Sequence, residues 1–235
     1  ILLTAHNGVR VFTPILNFFN FFFKRKIHYI VIGGQLGKLV KKHKGLRKIS
    51  RFNMVYVETE TMKKELQDFN ITNVTILNNF KNLQKSNLAN KVFKKRETLN
   101  ICFFSRIEPQ KGIFDLINVM KEINKEKVIY NLDIYGVIHD EHKVSFLTAI
   151  ESVPFISYKG VINYKESVQV IERYFLQVFP TNYRTEGIPG SIIDSYFAGV
   201  PVLSARWNSF DQVVQENVTG IGFILGDTKD LQSKL

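Results

Sequence analysis

At 235 residues the chain has room for one or two domains, and an apolar share of 45% is enough for a core. A formal charge of +11 turns the surface toward anionic partners: nucleotides, phospholipid headgroups or nucleic acid. The single cysteine, Cys102, excludes a disulfide framework within the chain and reads as a reducing, cytoplasmic location.

No signal peptide is visible in the sequence, Ile1 reads as mid-domain, and Leu235 follows the start of a helix. The expectation is a fragment. The longest apolar stretch, Ile15 to Phe23, is broken by Asn17 and Asn20 and followed by Lys24, Arg25 and Lys26. It is shorter than the ~20 residues a spanning helix needs. It reads either as a buried helix with a solvated end or as an aromatic and basic segment lying on an anionic bilayer. The second reading implies a peripheral position on the inner face of the plasma membrane.

Tyr29 to Ile32 is a short strand ending at Gly33-Gly34, and Leu36 to His43 is helical. Met54 to Val57 is a second strand. Thr59 to Phe69 is a helix with Thr59 or Thr61 as N-cap, and Val74 to Leu77 is a third strand. Strands alternating with helices predict a parallel α/β sheet. Residues 81–98, rich in Lys, Asn and Gln, read as a linker.

From residue 99 the rhythm is clearer. Strands are expected at Ile101 to Phe104, Leu132 to Tyr135, Ile156 to Tyr158, Leu176 to Phe179, Pro201 to Ala205 and Gly222 to Leu225. Helices are expected at Gly112 to Ile123, Val144 to Ile150, Tyr164 to Arg173, Pro189 to Ala198 and Phe210 to Glu216. The fold class is therefore α/β. Six strands with helices between them make a doubly wound sheet, whose ligands bind at the carboxyl ends of strands.

Two strand-ends carry chemistry. After Phe179 comes Pro-Thr-Asn-Tyr-Arg-Thr-Glu186-Gly187-Ile-Pro189-Gly190-Ser191-Ile192-Ile-Asp194. Pro189 suits a first helical turn, and small residues at Gly190 and Ser191 leave room for an anion at the helix start. Glu186 and Asp194 lie eight positions apart. In a continuous helix that is ~12 Å along the axis, against ~5 to 9.5 Å for a glycosidase pair. The spacing favours two contacts on one extended ligand, Glu186 on a sugar and Asp194 on ribose hydroxyls. The plainer alternative is that Asp194 is a solvated helix residue and Glu186 complements the dipole. After Phe104, the run Ser105-Arg106-Ile-Glu-Pro-Gln-Lys111-Gly112 presents two cations that can hold a diphosphate, or an ordinary basic loop.

Together these segments, with Asp194-Ser-Tyr-Phe-Ala198-Gly199-Val-Pro201-Val202 and Glu216-Asn-Val-Thr219-Gly220, resemble the donor half of family 4 retaining glycosyltransferases of the GT-B fold. The resemblance covers residues 99–225. It implies two Rossmann-type doubly wound domains, the first incomplete: an acceptor-side domain over residues 1–80, the linker over 81–98, and a nucleotide-sugar-binding domain over 99–235. It implies that Arg106 and Lys111 bind the donor pyrophosphate, that Glu186 contacts the transferred sugar, and that Gly187, Gly190, Ser191, Ile192 and Asp194 complete the donor site. The family's second acid is normally Glu, so Asp194 reaches one methylene less far.

By the same resemblance the reaction is hexosyl transfer with retention, from a nucleoside-diphosphate sugar with UDP favoured over GDP, to a glycan or lipid-linked hydroxyl in cell-surface polysaccharide synthesis. No cofactor or metal is implied. Val57-Glu58-Thr59 and Val74 to Phe80 fit the rear of the acceptor-side domain, whose front is expected to be missing, as is a C-terminal crossing helix. No role passes to His28. An epimerase of the same architecture is the alternative enzyme. A nucleic-acid-binding protein is the alternative outside enzymes, and no nucleic-acid motif accompanies the charge. Gly33-Gly-Gln-Leu-Gly37-Lys38 is not a phosphate loop, because its glycine spacing is one short and Leu39 stands where Ser or Thr belongs. His139 and His142, flanking Asp140 and Glu141, read as a polar turn rather than a metal site.

Overall fold

The computed structural model describes residues 1–5, 8–87 and 98–235, and these fall into two units. The first comprises Ile1–Phe80 with Thr185–Pro189, the second Lys81–Arg184 with Gly190–Leu235.

In the first unit four parallel strands, β1 (Leu2–Ala5), β2 (His28–Ile32), β3 (Met54–Val57) and β4 (Val74–Ile76), lie side by side in chain order. Tyr29 pairs with Leu2 on one side and Val55 on the other, and Val55 pairs with Val74. Burial alternates along β2 and β3, so Tyr29, Val31, Val55 and Val57 point into the core while their neighbours do not. The connections are α1 (Gly8–Phe23), α2 (Leu36–Lys42) with a 3-10 helix (Lys44–Arg51), and α3 (Glu60–Gln67). Thr59 caps α3, its hydroxyl accepting from the Met62 N–H. Strands advancing in one direction send right-handed crossovers to one face. Accordingly one core gathers Val9, Leu36, Ile49 and Leu66 from all three connections. This is one half of a doubly wound pattern. The strand Leu2–Ala5 and the 3-10 helix were not expected from sequence, the latter because basic residues mask its buried Leu46 and Ile49.

The second unit is doubly wound throughout. β5 (Leu99–Phe104), β6 (Tyr130–Tyr135), β7 (Ile156–Gly160), β8 (Leu176–Phe179), β9 (Val202–Ala205) and β10 (Gly220–Phe223) are all parallel, in the order β10-β9-β8-β5-β6-β7. The helices are α4 (Ile113–Ile123), α5 (Asp140–Ile150), α6 (Ser167–Ile171), α7 (Gly190–Ala198), α8 (Phe210–Val213) and α9 (Thr228–Lys234). On one face α4 contributes Ile113, Leu116, Ile117 and Met120 at helical spacing, joined by Phe146 and Leu231 from α5 and α9. A separate cluster joins α6 and α7 through Val168, Ile171 and Ala198. The central strand β5 is covered on both sides, so Ile101, Cys102 and Phe103 are all fully buried. Burial pushes the Cys102 thiol pKa up, which makes it an inert core residue.

Element ends differ from the sequence reading where side chains intervene. The helix expected from Tyr164 opens as a 3-10 turn, Tyr164–Glu166, before α6. Pro189 stands just outside α7. The helix expected to reach Glu216 stops at Val213, and the Glu216 carboxylate instead accepts from Arg206 and from the Gly222 N–H. Of the expected linker, residues 81–87 pass against α6 and α7: Leu83 packs on their cluster and the Ser86 N–H donates to the Phe197 carbonyl. Residues 88–97 of that segment lie outside the described residues.

Candidate functional site

In the second unit β5 and β8 are neighbours, but the chain leaves β5 toward β6 on one side and β8 toward β9 on the other. Loops leaving the carboxyl ends of two such strands diverge and open a crevice, the usual ligand site of an open α/β sheet. The two loops are tied at their bases. Gly112, the N-cap of α4, has φ +73°, and a Cβ there would lie 1.7 Å from the Pro180 carbonyl oxygen. Only glycine tolerates both the left-handed backbone and that approach. The Asn182 N–H donates to the Gln110 carbonyl at 2.8 Å.

The loop after β5 carries both expected cations. Arg106 is exposed, and its guanidinium sits 3.1 Å from the carboxylate of the buried Glu108. Lys111 leaves a 3-10 turn, Pro109–Lys111, and is only 8% exposed. Its ammonium lies 4.9 Å from the Tyr183 ring centre and 5.8 Å from that of Phe179, so aromatic faces of β8 and its loop hold the cation at the crevice.

The loop after β8 leads into α7, whose first turn holds Gly190, Ser191 and Ile192 and no acid. The first N–H groups of a helix have no intrahelical partner and mark its positive end, so this turn offers donors to an anion. Ile192 takes part only through its backbone, because its side chain is fully buried against Phe179, Val202 and Trp207. Asp194, one turn on, is 1% exposed, and the Lys81 ammonium lies 2.6 Å from each of its carboxylate oxygens. Burial raises the Asp194 pKa, and the hydrogen bonds from Lys81 and Ser167 with the Lys81 charge oppose the rise. Lys81 passes close under the helix start: a Cβ on Gly190 would lie 3.1 Å from its Cε. Sequence reasoning missed Lys81. It stands 113 positions from Asp194, in a stretch that reads as linker.

In the first unit the segment Thr185–Pro189 is held at the strand ends. Glu58, immediately after β3, is buried, and its carboxylate accepts the Ile188 N–H at 2.8 Å and the Gly33 N–H at 3.3 Å. A Cβ on Gly187 would lie 1.8 Å from a Glu58 oxygen, and one on Gly34 would lie 2.0 Å from the Thr185 carbonyl oxygen. Asn79 donates to the Ile188 carbonyl and Asn78 to the Glu58 carbonyl, both at 2.9 Å. Glu186 is half-buried here. Burial raises the Glu58 pKa most, the two N–H bonds lower it, and the Glu186 charge raises it further. Glu58 was read only as part of a family-like strand end. The signal available was its place, an acid directly after an apolar strand. His28 instead meets Tyr56, Nδ1 to hydroxyl at 3.0 Å. His142 lies 3.3 Å from Glu141, and among the described residues no group of three or more His, Cys, Asp or Glu is arranged to hold a metal.

Comparison with known proteins adds to this geometry. Residues 84–235 match the family described as Glycosyl transferases group 1. The chain is similar to an uncharacterized 41.2 kDa protein in the cps region of Klebsiella pneumoniae, with 25% identity over 151 residues, 64% of this chain and 40% of that protein. Its fold is similar to that of Anabaena HepE in complex with UDP and glucose, at 13% identity and a TM-score of 0.74, covering 98% of this chain and 66% of that one. It is also similar to a TarM variant from S. aureus in complex with fondaparinux, alpha-GlcNAc-glycerol and UDP. There the identity is 20% and the TM-score 0.69, over 89% of this chain and 43% of that one. The chain thus spans less than half the curated relative's length and about two thirds of HepE's.

Proposed function

The chain belongs to the glycosyl transferases group 1 family and has its GT-B-like α/β fold, and on that premise we propose that it carries the donor site of an enzyme moving a sugar from a nucleoside-diphosphate sugar to an acceptor hydroxyl. The observation that carries the reading is the strand order that sets the loops after β5 and β8 side by side, with Arg106 and Lys111 on one and the start of α7 at Gly190, Ser191 and Ile192 on the other. A diphosphate there meets two cations and the positive end of α7. As the bond to the sugar breaks, negative charge grows on the departing phosphate, and preorganised donors stabilise that charge more than they stabilise the ground state.

The remaining roles come from the family resemblance. Glu186 and Gly187 orient the transferred sugar. The resemblance gives Asp194 a ribose hydroxyl, but its carboxylate is buried against Lys81, so the role proposed for it here is to hold Lys81 beneath the start of α7. The acceptor attacks on the face the phosphate leaves, so configuration is retained with no protein nucleophile. UDP is the favoured carrier because HepE and TarM were both solved with UDP. A glycan or lipid-linked acceptor in cell-surface polysaccharide synthesis is favoured by the Klebsiella relative in a cps region.

Calorimetric titration of the chain with UDP, GDP and ADP tests the reading. Saturable binding is expected, tightest for UDP. Arg106→Ala removes a charge-assisted contact of ~1.5 to 3 kcal/mol, a loss of roughly 10- to 150-fold in affinity. Glu186→Ala leaves UDP binding unchanged and weakens the intact UDP-sugar. A chain that melts cooperatively yet binds none of the three nucleotides would overturn the assignment.

A further inference from the structure

One surface of the first unit has no part in the donor site. α1 is apolar on two opposite faces. Val9 and Thr13 are fully buried, Leu16 packs on the same core, and Asn17 reaches the Lys48 carbonyl of the 3-10 helix. The opposite stripe is Val11, Phe12, Ile15, Phe18, Phe19 and Phe22, at positions i, i+1, i+4, i+7, i+8 and i+11 of one helical face, and all six are exposed. Phe18 and Phe22 are 63% and 64% exposed, and Phe21 and Phe23 beside them 76% and 63%. The Phe18 ring meets Phe19 and Phe22 edge-on at 5.5 and 5.6 Å, so the rings form one patch. A patch of this kind marks an interaction site.

The surrounding charge selects the partner. Ahead of Glu58 the sequence holds eleven Lys and Arg and not one Asp or Glu. Lys24, Arg25 and Lys26 follow directly on the exposed phenylalanines and are themselves exposed. The 3-10 helix packed along α1 presents Lys44, Arg47, Lys48 and Arg51 to solvent. Between the two elements lies a cavity of about 250 Å³ lined by Arg10, Pro14, His43, Gly45, Leu46 and Lys48, cationic at the rim with one buried leucine. An apolar stripe flanked by cations complements a layer that is apolar inside and anionic at its surface. Sixteen residues of helix are ~24 Å long, and among the described residues no helix is long and apolar enough to cross a membrane. A two-faced helix of that length lies in the plane of an interface.

We propose that α1 and the 3-10 helix Lys44–Arg51 dock this chain on an anionic phospholipid bilayer. Phe18, Phe19 and Phe22 enter the boundary between headgroups and acyl chains. Lys24, Arg25, Arg47 and Lys48 face lipid phosphates, and the cavity between Arg10 and Lys48 receives one headgroup. The surface shares no residue with the donor site, so the proposal stands whichever nucleotide that site prefers.

The test is flotation of the full chain with vesicles of phosphatidylcholine alone and of equal parts phosphatidylglycerol and phosphatidylcholine. Binding is expected to be at least about tenfold stronger to the anionic vesicles, and to fall in ~1 M salt, where the screening length shrinks to ~3 Å. Phe18→Ser with Phe22→Ser, and separately Lys24→Glu with Arg25→Glu, are each expected to lower partitioning by about tenfold or more. Both pairs should leave the melting temperature in place, because the side chains are exposed. Equal binding to both vesicle types, no binding to either, or vesicle binding indifferent to both double variants would each overturn the proposal. So would a dimer, seen by light scattering, that Phe18→Ser with Phe22→Ser dissolves while vesicles remain unbound. That outcome would assign the face to a second copy of the chain.

Discussion

Two buried carboxylates, Asp194 of the second unit and Glu58 of the first, are accommodated by different means. Asp194 in the second unit is matched by a full charge, the Lys81 ammonium at 2.6 Å from both oxygens. Glu58 in the first unit is matched by dipoles, the N–H groups of Ile188 and Gly33, with the Glu186 charge working against it. Burial raises both pKa values. At Asp194 a countercharge opposes the effect of burial, whereas at Glu58 backbone dipoles oppose it and a nearby like charge adds to it. The first arrangement makes a fixed strut beneath the start of α7. The second makes a clasp on Thr185–Pro189 whose charge depends on pH.

Removing the countercharge breaks the comparison most severely. Lys81→Met leaves Asp194 buried without its countercharge. Such a loss costs ~3 to 5 kcal/mol in a fully buried pair, and about 3 kcal/mol is expected here because the Lys81 side chain is 26% exposed. Denaturant unfolding measures it directly. The reverse change, Asp194→Asn, leaves a lysine that can turn to water, and about 1 kcal/mol is expected. Equal losses would mean that Lys81 supports the fold through its hydrocarbon stem rather than its charge.

The smallest expected effect sharpens the contrast at Glu58. Its pKa in the folded chain lies above the usual 4.5, so folding favours its protonated form. The stability this contributes is fully present below about 4.5 and is lost as pH rises through the raised folded value. Glu58→Gln abolishes that dependence while leaving the Asp194 contribution in place. Melting temperatures of wild type and variant, compared between pH 4 and 7, should diverge in the variant's favour as pH rises. A constant offset would show that the Glu58 charge is solvated in the folded chain.

The legible parts of this molecule are those in which neighbours in sequence decide the structure. The cations Arg106 and Lys111 at one strand end, and the Pro189-Gly190-Ser191 helix start at another, could be read because a strand, a loop and a helix start are local patterns. The family resemblance then joined them, and the strand order β10-β9-β8-β5-β6-β7 puts both loops at one switch point. Ile192 was legible as a position but not in its role. Nothing in the string distinguishes a helix-start residue that faces a ligand from one whose side chain fills the core beside Trp207.

α1 shows the same limit. Its apolar residues were plain, but Val9-Thr13-Leu16 and Phe12-Ile15-Phe19-Phe22 are both acceptable inner faces by periodicity, and only packing against the 3-10 helix selects the first. The sequence by itself determined the α/β alternation, which residue types stand at two strand ends, and the basic, aromatic character of the first 57 residues. Tertiary structure alone decided that Lys81 pairs with Asp194 across 113 positions and that Glu58 clasps Ile188 across 130. The physical reason is that such partners are brought together by strand order and crossover direction, which are settled when the whole core is buried and not by any local run of residues.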